Sequence, residues 1–241
     1  MAVHVERRDR VALVTIDRPE RRNAVDEETL AHLGDAVDAG ADAGAIVLTG
    51  AGGHFCAGAD LAGVEGSELA VHLRRVLDAL AGSPVPSIAA VEGAALGAGT
   101  QLAIACDLRV AAADATFGIP AARLGLMVDQ ATVQRLALLA GSGPARAMLL
   151  AAEVLSGAEA REAGLVQRTG GLDDALAWAE EIAVLAPLTI AGHKLMLSQL
   201  EAEPADDPAV EAAFRRAWDS DDLAEGLTAF REKRRPTFRG R

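Results

Sequence analysis

Residues 93–108 read Gly93-Ala-Ala-Leu-Gly-Ala-Gly-Thr-Gln-Leu-Ala-Ile-Ala-Cys-Asp-Leu108, with three glycines in seven residues followed by an apolar run that favours helix. A glycine-rich turn that opens a helix brings backbone N–H groups close to something electron-rich. Two familiar occupants do not fit. A dinucleotide turn needs G-x-G-x-x-G; Gly97-Ala-Gly99 supplies two of those glycines, and no acidic residue follows at the distance that would hold a ribose. A P-loop needs Gly-Lys-Ser/Thr, which does not follow here. Glycines that merely permit tight helix–strand packing remain a third reading for any single loop.

The same arrangement occurs earlier in the chain. Ser87–Val91 reads as a buried strand feeding the quoted turn. Ala45–Thr49 reads as another, leading into Gly50-Ala-Gly-Gly-His-Phe-Cys-Ala-Gly58 and a helix around 68–81 that ends at Gly82 and Pro84. Strand, glycine loop and helix in that order, twice, indicate an α/β core with mostly parallel pairing. Val11–Ile16 is β-branched and closed by Asp17-Arg-Pro-Glu20, so it reads as strand and turn. Asp26 caps a helix running to about Ala39, and Leu108–Ala111 supplies a further strand. Helical signals dominate afterwards. Ser156-Gly-Ala-Glu159 is a capping box, and a helix from Asp173 ends before Pro187. Patterns continue over 187–200, 208–218 and 222–233, with Asp221 or Asp222 as a cap. A boundary near 187 therefore separates an α/β core, 1–186, from a helical region, 187–241.

Composition narrows the function classes. The 241 residues suffice for a substantial core, and at 3% aromatic with no tyrosine that core must be built from Ala, Val and Leu. A net charge of −12 argues against a nucleic-acid partner. No apolar run is long enough to cross a bilayer, and the charges in MAVHVERRDR occupy the place where a secretory signal would be apolar. Cys56 and Cys106 sit in apolar surroundings without metal-ligand spacing, so they read as small buried hydrophobes in a reducing compartment, and the expected location is the cytoplasm. Positive charge is concentrated at Arg18, Arg21 and Arg22 and in the tail from Arg231 to Arg241, which holds six Lys/Arg in eleven residues. The tail is either a solvated end or part of a surface for a polyanionic small molecule.

Two glycine loops after two buried strands can each turn a backbone N–H inward at the start of a helix. A convergent pair of N–H donors makes an oxyanion hole, a more specific device than a phosphate cradle. Phe55-Cys-Ala-Gly-Ala-Asp-Leu61, Gly93-x-Ala-x-Gly-Ala-Gly-x-x-Leu-Ala and Cys106-Asp-Leu-Arg-Val together resemble the signature of the crotonase superfamily, the enoyl-CoA hydratase/isomerase family. Arg18-Pro-Glu-Arg-Arg-Asn-Ala24 resembles its first CoA-binding loop, Phe117-Gly-Ile-Pro its active-site segment, and Phe230-Arg-Glu-Lys-Arg-Arg-Pro-x-Phe its C-terminal tail. The resemblance spans nearly the whole chain, in order.

It implies a ClpP/crotonase-like spiral of ββα units with a helical C-terminal region that drives trimerisation, often to a dimer of trimers. It also implies an acyl-CoA ligand or substrate, with no further cofactor and no metal. The thioester oxygen would accept hydrogen bonds from the N–H groups of Ala59 and Ala98; the family usually has glycine at the position of Ala98, and alanine keeps the N–H. The nucleotide end of CoA would lie near Arg22, Ala24, Ala57 and Asp60, approached by Phe230 and Lys233 of the tail.

The pattern breaks where proton transfer would occur. Family hydratases use two glutamates to activate water and deliver a proton, since paired carboxylates can exchange acid and base roles. Those positions fall on Gln101 and Ala121, and neither an amide nor a methyl group can move a proton near neutrality. One acid stands nearby. Asp129 either serves as acid/base, as an aspartate does in family isomerases, or N-caps the helix that runs to about Ala140. His54 belongs to no motif and reads as structural. Leu126, Met127 and Leu136 are apolar lining candidates.

Three expectations follow. The chain is an acyl-CoA-binding protein of fatty-acid metabolism with weak or absent hydratase activity; or it is an isomerase or noncanonical lyase using Asp129; or it is an interaction protein whose pocket has decayed.

Overall fold

A computed structural model describes residues 2–61, 68–200 and 208–239. Its strands are β1 (Val3–Arg8), β2 (Val11–Ile16), β3 (Ala45–Gly50), β4 (Ser87–Val91), β5 (Ala94–Leu96), β6 (Leu108–Ala111), β7 (Thr116–Gly118), β8 (Val154–Ser156) and β9 (Arg168–Thr169). The first seven helices are α1 (Glu27–Ala39), α2 (Leu69–Gly82), α3 (Ala98–Ala105), α4 (Gln130–Ala140), α5 (Ser142–Leu150), α6 (Gly157–Glu162) and α7 (Leu172–Ala183). Three more follow: α8 (Pro187–Leu200), α9 (Pro208–Trp218) and α10 (Asp221–Arg231).

The larger sheet has the order β1-β2-β3-β4-β6-β9, parallel throughout except for the antiparallel β1–β2 hairpin. Its central strands are apolar on both faces because both faces are covered. Val11, Leu13, Val47, Ile88 and Ala90 pack against Ala175 and Ala179 of α7. The alternate residues Val14, Ile16, Ile46, Leu48 and Val91 meet the core that includes Leu30 and Leu33 of α1 and Leu77 and Leu80 of α2. Period-2 alternation between two apolar layers explains why these strands read as continuous hydrophobic runs.

A smaller sheet, β5-β7-β8, is parallel between β5 and β7 and antiparallel between β7 and β8. Two single bridges, Cys56↔Ala95 and Val25↔Ala59, continue it through the first glycine loop. The quoted stretch is therefore not a bare loop, since β5 lies inside it. With β1, α5, β8 and β9, this is structure that the sequence patterns do not mark.

Several caps are as expected. Asp26 accepts from the Thr29 N–H at 2.9 Å, and Ser156 with Glu159 closes a capping box. α10 differs from expectation: Ser220, not Asp221 or Asp222, is its cap, accepting from the Leu223 N–H, and both aspartates fall in the first turn. There their charges favour the helix dipole without closing it.

The C-terminal helices are seated on the core by polar contacts. Lys194 of α8 is buried and donates to the carbonyls of Leu80 and Val85, both at 3.0 Å, and to the Asp107 carboxylate at 2.7 Å. The outer side of α8 leaves Leu188, Leu195, Met196 and Leu200 exposed. Trp218 of α9 donates its indole N–H to the Met127 carbonyl at 3.0 Å. Gly226 of α10 lies so close to Leu124 that a Cβ would stand 2.3 Å from its carbonyl oxygen, so only glycine allows α10 to rest there. Among the described residues no single helix is long and apolar enough to cross a membrane.

Candidate functional site

The two glycine loops meet backbone against backbone. The Cys56 N–H donates to Ala94 O at 2.8 Å, and the Leu96 N–H donates to Cys56 O at 3.0 Å. A Cβ on Gly99 would stand 2.0 Å from Cys56 O, so glycine is required for the approach. On its other edge, the first loop pairs with the segment at Val25: the Val25 N–H donates to Gly58 O at 2.9 Å and the Asp60 N–H to Val25 O at 2.8 Å. Those bonds use the groups flanking Ala59, which turns its own N–H away from Val25.

Ala98 is the first residue of α3, so its N–H is one of the four that a helix cannot satisfy internally. Among the described residues neither the Ala59 nor the Ala98 N–H has a hydrogen-bond partner. Both residues line one cavity of about 780 Å³. Only Ala98 sits at a helix start; α2 begins at Leu69, and an extended segment, not a helix, aims the Ala59 N–H.

Buried polar groups brace both loops. The Asn23 amide donates to Ala51 O at 2.8 Å and His54 O at 2.5 Å and accepts from the Arg18 N–H at 2.8 Å. His54 Nδ1 accepts from the Ala94 N–H at 3.2 Å, which ties one loop to the other and gives this histidine the structural role its sequence context suggested. The Thr100 hydroxyl accepts from the Gly118 N–H at 3.0 Å and lies 2.6 Å from Ala95 O. Cys56 and Cys106 are buried, and burial pushes both thiols up to about 12, so they remain neutral packing groups.

The cavity wall is mainly apolar. Leu69, Leu73, Ile119, Leu126 and Met127 contribute, and the C-terminal helices add Phe214, Trp218 and Phe230. Leu136, expected in the lining, is buried in the core instead. Gln101 and Ala121 both line the cavity. So does Asp129, whose side chain caps α4 by accepting from the Thr132 N–H at 2.9 Å and the Thr132 hydroxyl at 2.8 Å, with Arg74 3.7 Å away. Gln101, Asp129 and Arg74 also border a smaller chamber of about 180 Å³ behind them.

At the other end Ala24, Ala57, Asp60 and Phe230 line the cavity. Arg22 and Lys233 are exposed and do not line it; Arg22 contributes its carbonyl, which accepts from the Ala57 N–H at 3.0 Å. Arg21 is the arginine that lines this end of the cavity, and Arg74 lines it beside Asp129. Arg18 holds this corner together, pairing with Asp26 at 2.9 Å and Asp60 at 3.3 Å and donating to Ala24 O at 2.6 Å. In the tail, Arg234 pairs with Glu225 at 2.6 Å; Arg241 lies outside the described residues. Sequence reasoning named Arg21 in a basic cluster but gave the nucleotide end to Arg22, and it missed Phe214 and Trp218. The one available signal was the i,i+4 spacing of two aromatics in a chain with very few. Among the described residues no group of three or more His, Cys, Asp or Glu side chains could hold a metal ion.

A mostly parallel main sheet, one short second sheet and helices folded over an apolar cavity define a crotonase-fold protein. Solved structures agree. Methylmalonyl-CoA decarboxylase complexed with 2S-carboxypropyl-CoA matches with a TM-score of 0.92 at 25% identity, over 100% of this chain and 99% of that one. Carnitinyl-CoA hydratase from Mycobacterium avium matches with a TM-score of 0.87 at 36% identity, over 100% and 99%. The chain belongs to the enoyl-CoA hydratase/isomerase family, whose family model matches residues 6–241. Among curated relatives, the "Probable enoyl-CoA hydratase echA6" of Mycobacterium bovis is 43% identical over 244 residues, covering 99% of both chains.

Proposed function

We propose that the protein binds acyl-CoA thioesters of fatty-acid metabolism, holds the thioester oxygen between the N–H groups of Ala59 and Ala98, and hydrates enoyl chains weakly or not at all. One observation carries this reading: two N–H donors without a partner among the described residues border an apolar cavity, and the hydratase acid positions in that cavity are Gln101 and Ala121. Preorganised donors stabilise negative charge on the thioester oxygen, but hydration also needs a group that removes a proton from water and one that returns a proton to carbon. Neither residue does either.

Coenzyme A is then the ligand or substrate, and no other cofactor takes part. Its nucleotide end lies along Ala24, Ala57 and Asp60, with Arg22, Phe230 and Lys233 nearby and Arg21 as a lining cation at this end. Arg18 offsets the charge of Asp60 where phosphates would come close. The CoA esters in the names of the solved relatives support this ligand class. The exposed apolar side of α8 supports self-association as a homotrimer or dimer of trimers, and the reading places the protein in the cytoplasm.

The rival reading makes Asp129 the acid/base of an isomerase or noncanonical lyase, and its place in the cavity lining favours that reading. Against it, both carboxylate oxygens are engaged by Thr132.

A spectrophotometric assay with short to long 2-enoyl-CoAs, paired with thermal denaturation, separates the readings. The expected result is stabilisation without loss of the conjugated thioester absorbance; ligand at about 100 times its Kd adds about 2.7 kcal/mol. Turnover that vanishes in Asp129→Ala would establish the rival. No stabilisation by any ester would leave an interaction protein with a decayed pocket.

A further inference from the structure

The bonds between the two glycine loops follow a parallel ladder at Cys56 and then depart from it. Cys56 bridges to Ala95, so a regular ladder would next join the Ala94 N–H to the His54 carbonyl. That carbonyl is turned away and accepts from the Asn23 amide instead. The His54 imidazole takes its place, with Nδ1 accepting from the Ala94 N–H at 3.2 Å. The register has also slipped by one, since Phe55 rather than His54 donates to Glu92 O, at 2.8 Å. A side chain thus supplies the acceptor that its own main chain gave up. The same ring is a spacer. Gly93 has φ +54, and a Cβ built there would stand 2.6 Å from His54 Nδ1 and 2.3 Å from Gly53 O, so the imidazole fills the room of a side chain at Gly93. The hydrogen bond limits how far the loops can part, and the ring against Gly93 limits how close they can come.

Both N–H donors hang from this joint. Ala98 is four residues beyond Ala94, across β5 and Gly97, and Ala59 is five residues beyond His54. An oxyanion hole works when both donors reach one oxygen at about 2.7–3.1 Å, and displacements of about 0.5 Å already matter. His54 does not line the cavity, so it reaches a ligand only through the main chain. We infer that His54 is the positioning residue of the oxyanion pair: its imidazole sets the spacing of the two loops and, through it, how strongly a bound thioester carbonyl is polarised. The inference rests on the acyl-CoA reading above and goes beyond it, from where the thioester sits to what keeps the two donors aimed at one atom.

The test is infrared difference spectroscopy of the full chain with decanoyl-CoA carrying carbon-13 at its carbonyl, beside calorimetric titration with the same ester and with free CoA. In the wild type the carbonyl stretch is expected to fall on binding. His54→Leu is similar in bulk and lacks an acceptor; it should lose about half of that lowering or more and bind the ester about fivefold more weakly. His54→Asn puts an amide oxygen where Nδ1 stands and should restore both. His54→Gln carries its oxygen one carbon further out and should behave like His54→Leu, so the test stands even if the leucine variant folds poorly. A wild-type stretch in the leucine and glutamine variants would overturn the inference and leave acyl-CoA binding intact. Failure of a folded His54→Asn protein to restore the stretch would overturn the assignment to Nδ1. An ester bound by the wild type with its stretch unmoved would overturn both the inference and the oxyanion pair. Decanoyl-CoA binding no more tightly than free CoA would overturn the reading beneath them.

Discussion

The two ends of α3 are finished in opposite ways. At the C-terminus the fully buried Arg109 donates to Ala103 O and Cys106 O, at 3.2 and 2.8 Å, and to Leu165 O and Asp107 O, at 2.5 and 3.2 Å. A cation there satisfies orphan carbonyls and complements the negative end of the helix dipole. At the N-terminus, Ala98 keeps its N–H without a partner among the described residues, at the edge of a cavity. One helix end is closed by the protein itself, and in the proposed function the other is closed by the ligand. Stability and binding are thus separated along eight residues, and substitutions at the two ends should fail in different ways.

The largest effect is expected at the closed end. Arg109→Met removes hydrogen bonds to four main-chain carbonyls, three of them buried, and should cost about 3 kcal/mol or more, read as a lowered denaturation midpoint. Ligand affinity of the molecules that remain folded should change little. At the open end, Ala98→Pro replaces the N–H hydrogen with a ring carbon, and proline is tolerated at the first position of a helix. It should leave stability within about 1 kcal/mol and weaken acyl-CoA binding about tenfold, measured by titration. Equal losses of stability and affinity in both variants would break the comparison.

A smaller effect belongs to the neighbouring helix. Asp129→Ala deletes the cap of α4 and should cost about 1 kcal/mol in thermal or chemical denaturation. The smallest concerns the tail. Hydrogen bonding from Arg234, then from the Thr237 N–H, holds the half-buried Glu225 carboxyl at about 2. Because that value is depressed, the tail's attachment is complete above the ordinary glutamate value of about 4.3 and weakens as pH falls towards 2. The Thr237 amide resonance should move over that acid range, and added salt should shift it the same way.

How far the sequence discloses the fold depends on element length. β2, β3, β4 and the capped helices α1, α4 and α6 are legible because each carries its own periodicity or capping residue. β5, β7 and β8 have three residues each, too few for a period, and exist through pairings such as Ala95↔Phe117 that join distant segments. In the site, both loops and the positions of Gln101 and Ala121 can be read from motif spacing. The choice of Arg21 over Arg22 cannot, since it follows from the left-handed backbone at Arg22. The aromatic wall was equally hidden, because it depends on α9 and α10 folding back over Met127 and Leu124.

That wall has an optical consequence. The chain has two tryptophans and no tyrosine, so its near-ultraviolet emission comes from two indoles. Trp178 lies under the Arg168 guanidinium, 4.1 Å from the ring centre, on the α7 side of the larger sheet. Trp218 is stacked on Phe214 in the cavity lining. The molecule thus carries a reference fluorophore and a reporting one, and occupancy of the cavity can be followed without a label.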